Sequence, residues 1–443
     1  MRRHRFMRWA TLLLLAAMAQ KYQQAPSSAD NSTVAAFYYL WYGNPQSDGR
    51  WLHWNHSVLP HWTDAVNARY AERIGEPVAS PPEGVHSKFY PQRGPYSVSD
   101  PTTLASQMSE LQRAGVGTVV LSWWGRPGAS AGDSQGVVTD ARIEGVLDAA
   151  FAAGLRAAWH LEPYHGRSAE SVLADVSFLW SHYGEHPALL QWPLLSRPGV
   201  TGPVYYVYDS YHISASDWKR VLTSNPPDEK GESWSVRGTA LDGVFIGLWL
   251  ERHHGQDLLD GGFDGAYTYF ASDGFSWGAS TRNWGTIHNW ATQHQKLFIA
   301  SVGAGYNDEG IRPWNAHNTK AREGGAYYRR FWARAMDVDS EPTHTIHPEY
   351  DGSTAAMPAA KALGIRSADA IAITSYNEWG EGTQIEPAVP RAGFEDYEDA
   401  GGPGGYMALT AQLATQFRQL QQQQQQRRVE GGAAVGQAPH VDL

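Results

Sequence analysis

The chain contains no cysteine, which excludes disulfides, thiolate metal sites and a cysteine nucleophile. It has no extended basic stripe either. With 35 basic against 45 acidic residues and a net charge of −10, it is poorly suited to a phosphate backbone, and no nucleic-acid partner is expected. A comfortable membrane span is also missing: the uncharged run from Trp9 to Ala19 falls short of the roughly 20 residues a bilayer core requires. Arg2, Arg3, Arg5 and Arg8 precede that run, and Ala17-Met18-Ala19 follows the small-x-small pattern of signal-peptide cleavage. Residues 1–34 therefore read as a signal peptide, or a short anchor extended by its aromatic and basic flanks, plus a linker. Any membrane association is expected through this segment only. Asn31-Ser32-Thr33 and Asn55-His56-Ser57 match the N-glycosylation sequon.

What the chain does have is length, a 42% hydrophobic content, and aromatic residues, 19 Trp and 22 Tyr. That is enough to bury one large α/β barrel or two ordinary domains. Trp and Tyr pair flat apolar faces with polar edges, a combination suited to sugars, although most of these rings are expected in the core. From Ala35 onward, short apolar runs alternate with stretches of helical period. Eight runs read as strands: 35–39, 117–122, 156–162, 204–209, 244–250, 266–270, 297–302 and 370–374. Helices are expected at 103–114, 141–153, 169–183, 216–222, 281–295 and 323–336. Eight such strands predict a single (β/α)8 TIM-type barrel over 35–418 with long strand-to-helix loops, its active site at the carboxyl ends of the strands. The connection from Asp337 to Ala368 reads as a lid-like excursion or a peripheral insert. Residues 419–443, with six consecutive glutamines, read as a disordered Gln-rich tail.

The most informative segment follows the last predicted strand: Tyr376-Asn377-Glu378-Trp379-Gly380-Glu381-Gly382. Cleaving an acetal needs one group to protonate the leaving oxygen and another to assist at the sugar, and two carboxyl groups in different environments can divide those roles. Two glutamates three residues apart are also common on solvated helix faces. At the end of a barrel strand they point to catalysis. Glu386 is a third acidic residue nearby, with a structural role expected.

The chain resembles glycoside hydrolase family 99, the endo-α-mannosidases and endo-α-1,2-mannanases, over roughly Ala35 to Arg418. The resemblance rests on Phe37-Tyr38-Tyr39-Leu40-Trp41-Tyr42-Gly43-Asn44-Pro45, Trp51-Leu52-His53-Trp54-Asn55-His56, Ser122-Trp123-Trp124-Gly125-Arg126 and His160-Leu161-Glu162-Pro163-Tyr164. Asp264-Gly265-Ala266-Tyr267, Arg312-Pro313-Trp314-Asn315 and the 377–386 segment extend it. It implies a barrel acting without a metal or other cofactor inside α-mannoside chains, with net retention. It also implies a mannose-containing oligosaccharide or N-glycan as substrate and, for animal members, the Golgi lumen; secretion is the alternative. The catalytic carboxylates then fall on Glu378 and Glu381, and substrate contacts on Glu162, Trp124, Tyr42, Tyr164, Tyr267 and Asn377, with Trp124 ranked ahead of Trp123. Two positions depart from the family. Leu40 stands where proline is common, and Gly380 stands where animal members carry histidine.

The implied mechanism is substrate-assisted. In an α-mannoside the oxygens on C1 and C2 are both axial and opposed, so O2 is aligned to displace the leaving group and form a 1,2-anhydro sugar. Glu378 is assigned as base toward the 2-hydroxyl and Glu381 as general acid, then base to water. The expected substrate is a glucosylated high-mannose N-glycan, with plain α-1,2-mannan as the alternative. Two rival classes are a lectin-like protein without turnover and a metal-dependent hydrolase using His160, His165, His253 or His254.

Overall fold

The computed structural model describes residues 33–435 apart from 62, 129–131, 134, 196, 225–233 and 340–365. The N-terminal segment, the first sequon's Asn31 and most of the 337–368 excursion lie outside the described residues. Eight parallel strands close into a barrel: β1 (Val34–Tyr38), β2 (Thr118–Trp123), β3 (Arg156–Leu161), β4 (Thr201–Val207), β5 (Val244–Leu248), β6 (Gly265–Tyr267), β7 (Leu297–Val302) and β8 (Ala370–Ile373). Each pairs with its neighbours in sequence, and β8 returns to β1 with Ala35 opposite Ala372. All eight strands expected from the apolar runs are present, most of them shorter at their carboxyl ends. At β6 the ladder stops at Tyr267, and Tyr269 turns away with φ of 49°.

Strand residues are buried on both faces because helices cover the outside. Inward-pointing rings fill the barrel. Phe37 meets His160 at 4.7 Å and Tyr206 edge-on at 5.8 Å, and Tyr206 meets Tyr267 at 5.2 Å. This aromatic plug makes a floor, so a substrate can enter only from an end.

The outer layer comprises α1 (Pro101–Arg113), α2 (Ile143–Ala152), α3 (Ala169–Tyr183), α4 (Ala215–Leu222), α5 (His254–Gly261), α6 (Trp284–His294), α7 (Ala326–Met336) and α8 (Gly405–Val435). Starts are chemically marked: the Asp100 carboxylate accepts the N–H groups of Thr102 and Thr103 ahead of Pro101, and Ser168 and Ser171 form a capping box. Helix α5 escaped the sequence pattern because it is short and carries Gly255, a poor helix former. The glycine is required there, since a Cβ would lie 2.3 Å from the Trp249 ring.

Helix α8 corrects the expectation of a disordered tail from 419. The helix runs to Val435, and Leu409, Leu413, Phe417 and Leu420 form a buried stripe packed between α1 and α7. Gln421 accepts a hydrogen bond from Thr33 at 2.8 Å and donates to the Asp369 carbonyl at 2.9 Å, while Gln424 accepts from Ser367 at 3.2 Å. Glutamine is a good helix former, so the low apolar content of the run did not prevent it from extending a helix already docked. The ends of the 337–368 excursion are pinned together: Val338 N–H donates to the Arg366 carbonyl and Ala368 N–H to the Ala335 carbonyl, both at 2.9 Å. They join α7 to β8 and so emerge at the amino ends of the strands, opposite the mouth.

Candidate active site

Residues 375–386 leave β8 at its carboxyl end and fold back on themselves. Ser375 N–H donates to the Thr383 carbonyl at 3.1 Å, Ile385 N–H to Ser375 at 2.9 Å and Glu386 N–H to Tyr376 at 2.9 Å. Glu378 and Glu381 occupy the apex. Gly382 has φ of 65°, and a Cβ there would lie 3.0 Å from the Asn307 carbonyl oxygen, so only glycine lets the turn press against the β7 loop. Asn307 N–H clamps the contact by donating to the Glu381 carbonyl at 2.8 Å.

The two side chains differ in exposure and partners. Glu378 is buried, its Oε1 accepts Gly380 N–H at 2.9 Å, and its Oε2 has no hydrogen-bond partner among the described residues. Burial, then the charge of Glu381, holds its pKa well above the ordinary value. Glu381 keeps 18% of its side chain exposed and accepts Arg312 at 2.8 Å. Burial raises its pKa too, opposed by Arg312. Asp308, fully buried, anchors that arginine at 3.3 Å while accepting from Tyr306 at 2.8 Å and Asn315 at 2.9 Å. The pair therefore shares one cation, held on the Glu381 side.

The third carboxylate, Glu162, sits where β3 ends, accepting Ser122 at 2.7 Å and bonded to His160 Nδ1 at 2.9 Å; His160 Nε2 meets Tyr267 at 2.9 Å. Tyr39 unites the three. After burial, the charges of Glu162, Glu381 and Glu378 all push its phenol pKa upward, which places its ring in the field of every one of them. Trp41 stacks on Tyr39 and on His53, each at 4.6 Å, and Trp124 lies 6.4 Å from Trp41. His53 in turn bonds Asp133 at 2.7 Å. Aromatic rings and carboxylates thus adjoin at the mouth through Tyr39.

Of the residues singled out in the sequence, Glu378, Glu381, Glu162 and Trp124 come together at this mouth. Trp123 is fully buried and turns into the helix layer, donating to Asp140 at 2.9 Å, whereas Trp124 is half-buried and its indole N–H has no acceptor among the described residues. The other four are buried and hydrogen-bonded within the protein. Tyr42 is fully buried and accepts Trp379 N–H at 3.1 Å. Tyr164 bonds Ser171 and Asp175 on α3. Tyr267 is held by His160 inside the barrel, and Asn377 laces the loop to the backbone of Tyr39 at 2.7 and 3.0 Å. Sequence reasoning missed Tyr39, Trp41, Asp308 and the role of Arg312; the last lay in plain view within Arg312-Pro313-Trp314-Asn315.

Two of the histidines offered as metal ligands, His160 and His254, have other partners. His160 uses both ring nitrogens inside the barrel. His253, His254 and Asp257 gather within 4.8 Å, but His254 Nδ1 accepts the N–H groups of Leu250 and Glu251 at 3.2 Å each. That fixes the remaining proton on Nε2, the nitrogen a metal would need bare.

Comparison with known proteins agrees with this architecture. The family model described as Glycosyl hydrolase family 99 matches residues 29–362, stopping short of the carboxylate loop. The chain is 40% identical over 360 residues to a mouse glycoprotein endo-alpha-1,2-mannosidase-like protein, covering 81% of this chain and 70% of that one. It is also 40% identical over 361 residues to the rat glycoprotein endo-alpha-1,2-mannosidase, covering 82% and 69%. Among solved structures, the GH99 endo-alpha-mannosidase from Bacteroides thetaiotaomicron superposes with a TM-score of 0.69 at 33% identity, covering 88% of this chain and 98% of that one. With its barrel closed and its family matched over three quarters of its length, the chain belongs to glycosyl hydrolase family 99 and is a glycoside hydrolase.

Proposed function

We propose that the protein is a retaining endo-α-mannosidase that cleaves internal α-1,2-mannosidic linkages of glucosylated high-mannose N-glycans, releasing a Glc-Man type saccharide. The names of its mouse and rat relatives support the linkage. The single observation that carries the chemistry is the bare Oε2 of Glu378: a buried carboxylate oxygen without a donor is costly unless a ligand supplies one. The 2-hydroxyl of a mannosyl unit is such a donor.

In the free enzyme the surroundings favour a proton on Glu378, because Arg312 stabilises charge on Glu381 and no cation touches Glu378. Binding reverses this. A hydroxyl hydrogen bond to Oε2 favours the charged form of Glu378, and the resulting negative charge drives the proton onto Glu381. Glu378 then takes the proton of the 2-hydroxyl while O2 attacks C1 from the face opposite the leaving group. The C1–O bond breaks, and the leaving oxygen receives the Glu381 proton. Water next loses a proton to Glu381 and attacks C1, the C1–O2 bond opens, and O2 recovers its proton from Glu378. Two inversions give retention. Glu162, its Oε1 held by Ser122 and His160, and Trp124, with a free indole N–H, are assigned to orient the sugar.

Incubation of the purified protein with a glucosylated high-mannose N-glycan and with plain α-1,2-mannan, followed by mass measurement of the released saccharide, tests the substrate. A Glc-Man product formed faster than any mannan fragment is expected; equal or faster mannan cleavage reverses the choice. We also place the protein in the secretory pathway, in the Golgi lumen, on the strength of its N-terminal segment. A reporter carrying residues 1–34 that stays cytosolic would refute that placement.

A further inference from the structure

His86 belongs to none of the groups assigned so far. It lies on the loop before α1, 5% exposed, its backbone N–H donating to the Trp54 carbonyl at 3.2 Å. The ring stacks on Tyr42 at 6.1 Å, with interplanar angle 21°, and lies 5.6 Å from His56. Its Nδ1 has no hydrogen-bond partner among the described residues. Burial, and then the neighbouring His56 and His53, push its pKa well below the ordinary value, so the ring is neutral.

The informative contact is with a residue that has no side chain. A Cβ built on Gly380 would lie 2.9 Å from His86 Nε2 and 2.9 Å from Glu378 Oε1, with His86 Cδ2 at 3.1 Å. Gly380 does not adopt a left-handed φ, so its backbone would accept any residue. Any larger residue would have to displace the imidazole or the carboxylate. The imidazole edge and the carboxylate oxygen thus flank the same point beside the loop.

We propose that His86 is a positioning residue for Glu378: the Nε2 edge of its ring backs Oε1, fixing the carboxylate so that Oε2 is presented to the substrate. Gly380 and His86 form a matched pair, in which the missing side chain leaves room for the ring beside the carboxylate. Being neutral, the ring does not compete with Arg312 for control of the shared proton, and its contribution is geometric. An unbacked carboxylate can rotate within its rotamer well, and misplacement on the scale of 1 Å costs a reaction of this kind on the order of 100-fold. The proposal rests on Glu378 being catalytic.

The test is a cycle of His86→Gly, Gly380→His and the double variant, with kcat, KM and melting temperature measured on an α-1,2-linked mannoside substrate. His86→Gly is expected to lower kcat about 10- to 100-fold with KM within about threefold. Gly380→His is expected to fall further, because two rings contest one space. In the double variant the imidazole is supplied from position 380, and kcat should exceed that of either single variant. His86→Phe guards against misfolding, since it keeps the ring volume. It should melt like the parent yet lose kcat at least about 10-fold. A parental kcat in His86→Phe, or a double variant no better than the poorer single one, overturns the proposal. Full activity in Glu378→Gln would instead overturn the catalytic assignment, which separates the two failures.

Discussion

Glu378 and Glu386 sit on the same loop, both are buried, and burial raises the pKa of both, yet their surroundings are opposite. Glu386 is saturated with donors: Arg93 at 3.0 Å, Tyr96 at 2.7 Å, Gln107 at 2.7 Å and Trp379 at 2.9 Å. Glu378 has one backbone N–H and an empty oxygen. A saturated carboxylate ties the loop before α1, α1 and the β8 loop together. An unsaturated one can still accept a donor from a ligand, which offsets the cost of leaving it bare. The charged neighbours repeat the contrast, with Arg93 bonded to Glu386 whereas Arg312 bonds Glu381 and reaches Glu378 only through its field.

The comparison would break first at Glu378 itself. Glu378→Gln should lower kcat about 10³-fold or more while the protein stays folded, as judged by its circular dichroism. Glu386→Ala should instead cost about 2–4 kcal/mol of stability in denaturant unfolding, because it leaves Tyr96, Gln107 and the indole N–H of Trp379 without their buried acceptor while Arg93 keeps Glu110. A stable Glu386→Ala protein with a collapsed kcat would erase the distinction. Glu381→Gln sharpens it: kcat should fall about 10²- to 10³-fold on a sugar leaving group, and far less on an activated aryl mannoside that departs without a proton. Equal losses on both would remove the acid role.

The smallest expected effect concerns stability. The folded-state pKa of Glu378 is raised, so protonation favours the fold: the stabilising contribution is fully present below the unfolded value and disappears as pH rises through the folded value. At neutral pH the fold must therefore hold a proton on Glu378 that the unfolded chain releases, which costs stability, and Glu378→Gln should melt higher by roughly 1–3 °C. The gain should shrink as pH falls toward the ordinary carboxylate range. A gain that grows on acidification would show that Glu378 is not held protonated by its surroundings.

Much of this was legible in the chain because it depends on local pattern. Apolar runs such as Val119 to Leu121 and Ala370 to Ile373 can only be buried strands when helical periods separate them, and strand order follows from the short connections. The position of the 337–368 excursion between a helix and a strand already placed its ends at the closed end of the barrel. Other features were hidden because they depend on partners distant in sequence. Nothing within Gln421 to Gln426 says that Thr33 and Asp369 wait for the amide of Gln421. The partners of Tyr42, Tyr164, Tyr267 and Asn377 were hidden in the same way, since Trp379, Asp175, His160 and Tyr39 lie on other elements.

By itself, then, the sequence determined a barrel of eight strands, an acidic loop at the end of the last one, and the kind of bond such a pair can cut. Those follow from periodicity and residue chemistry, which neighbouring residues settle among themselves. Only the tertiary structure decided which carboxylate is left wanting a proton donor, which tryptophan faces the opening, and why position 380 has no side chain. Each of those is a question of what stands within a few ångströms in space, and closing the ring brings together β1, the loop before α1, the β7 loop and the β8 loop from opposite ends of the chain.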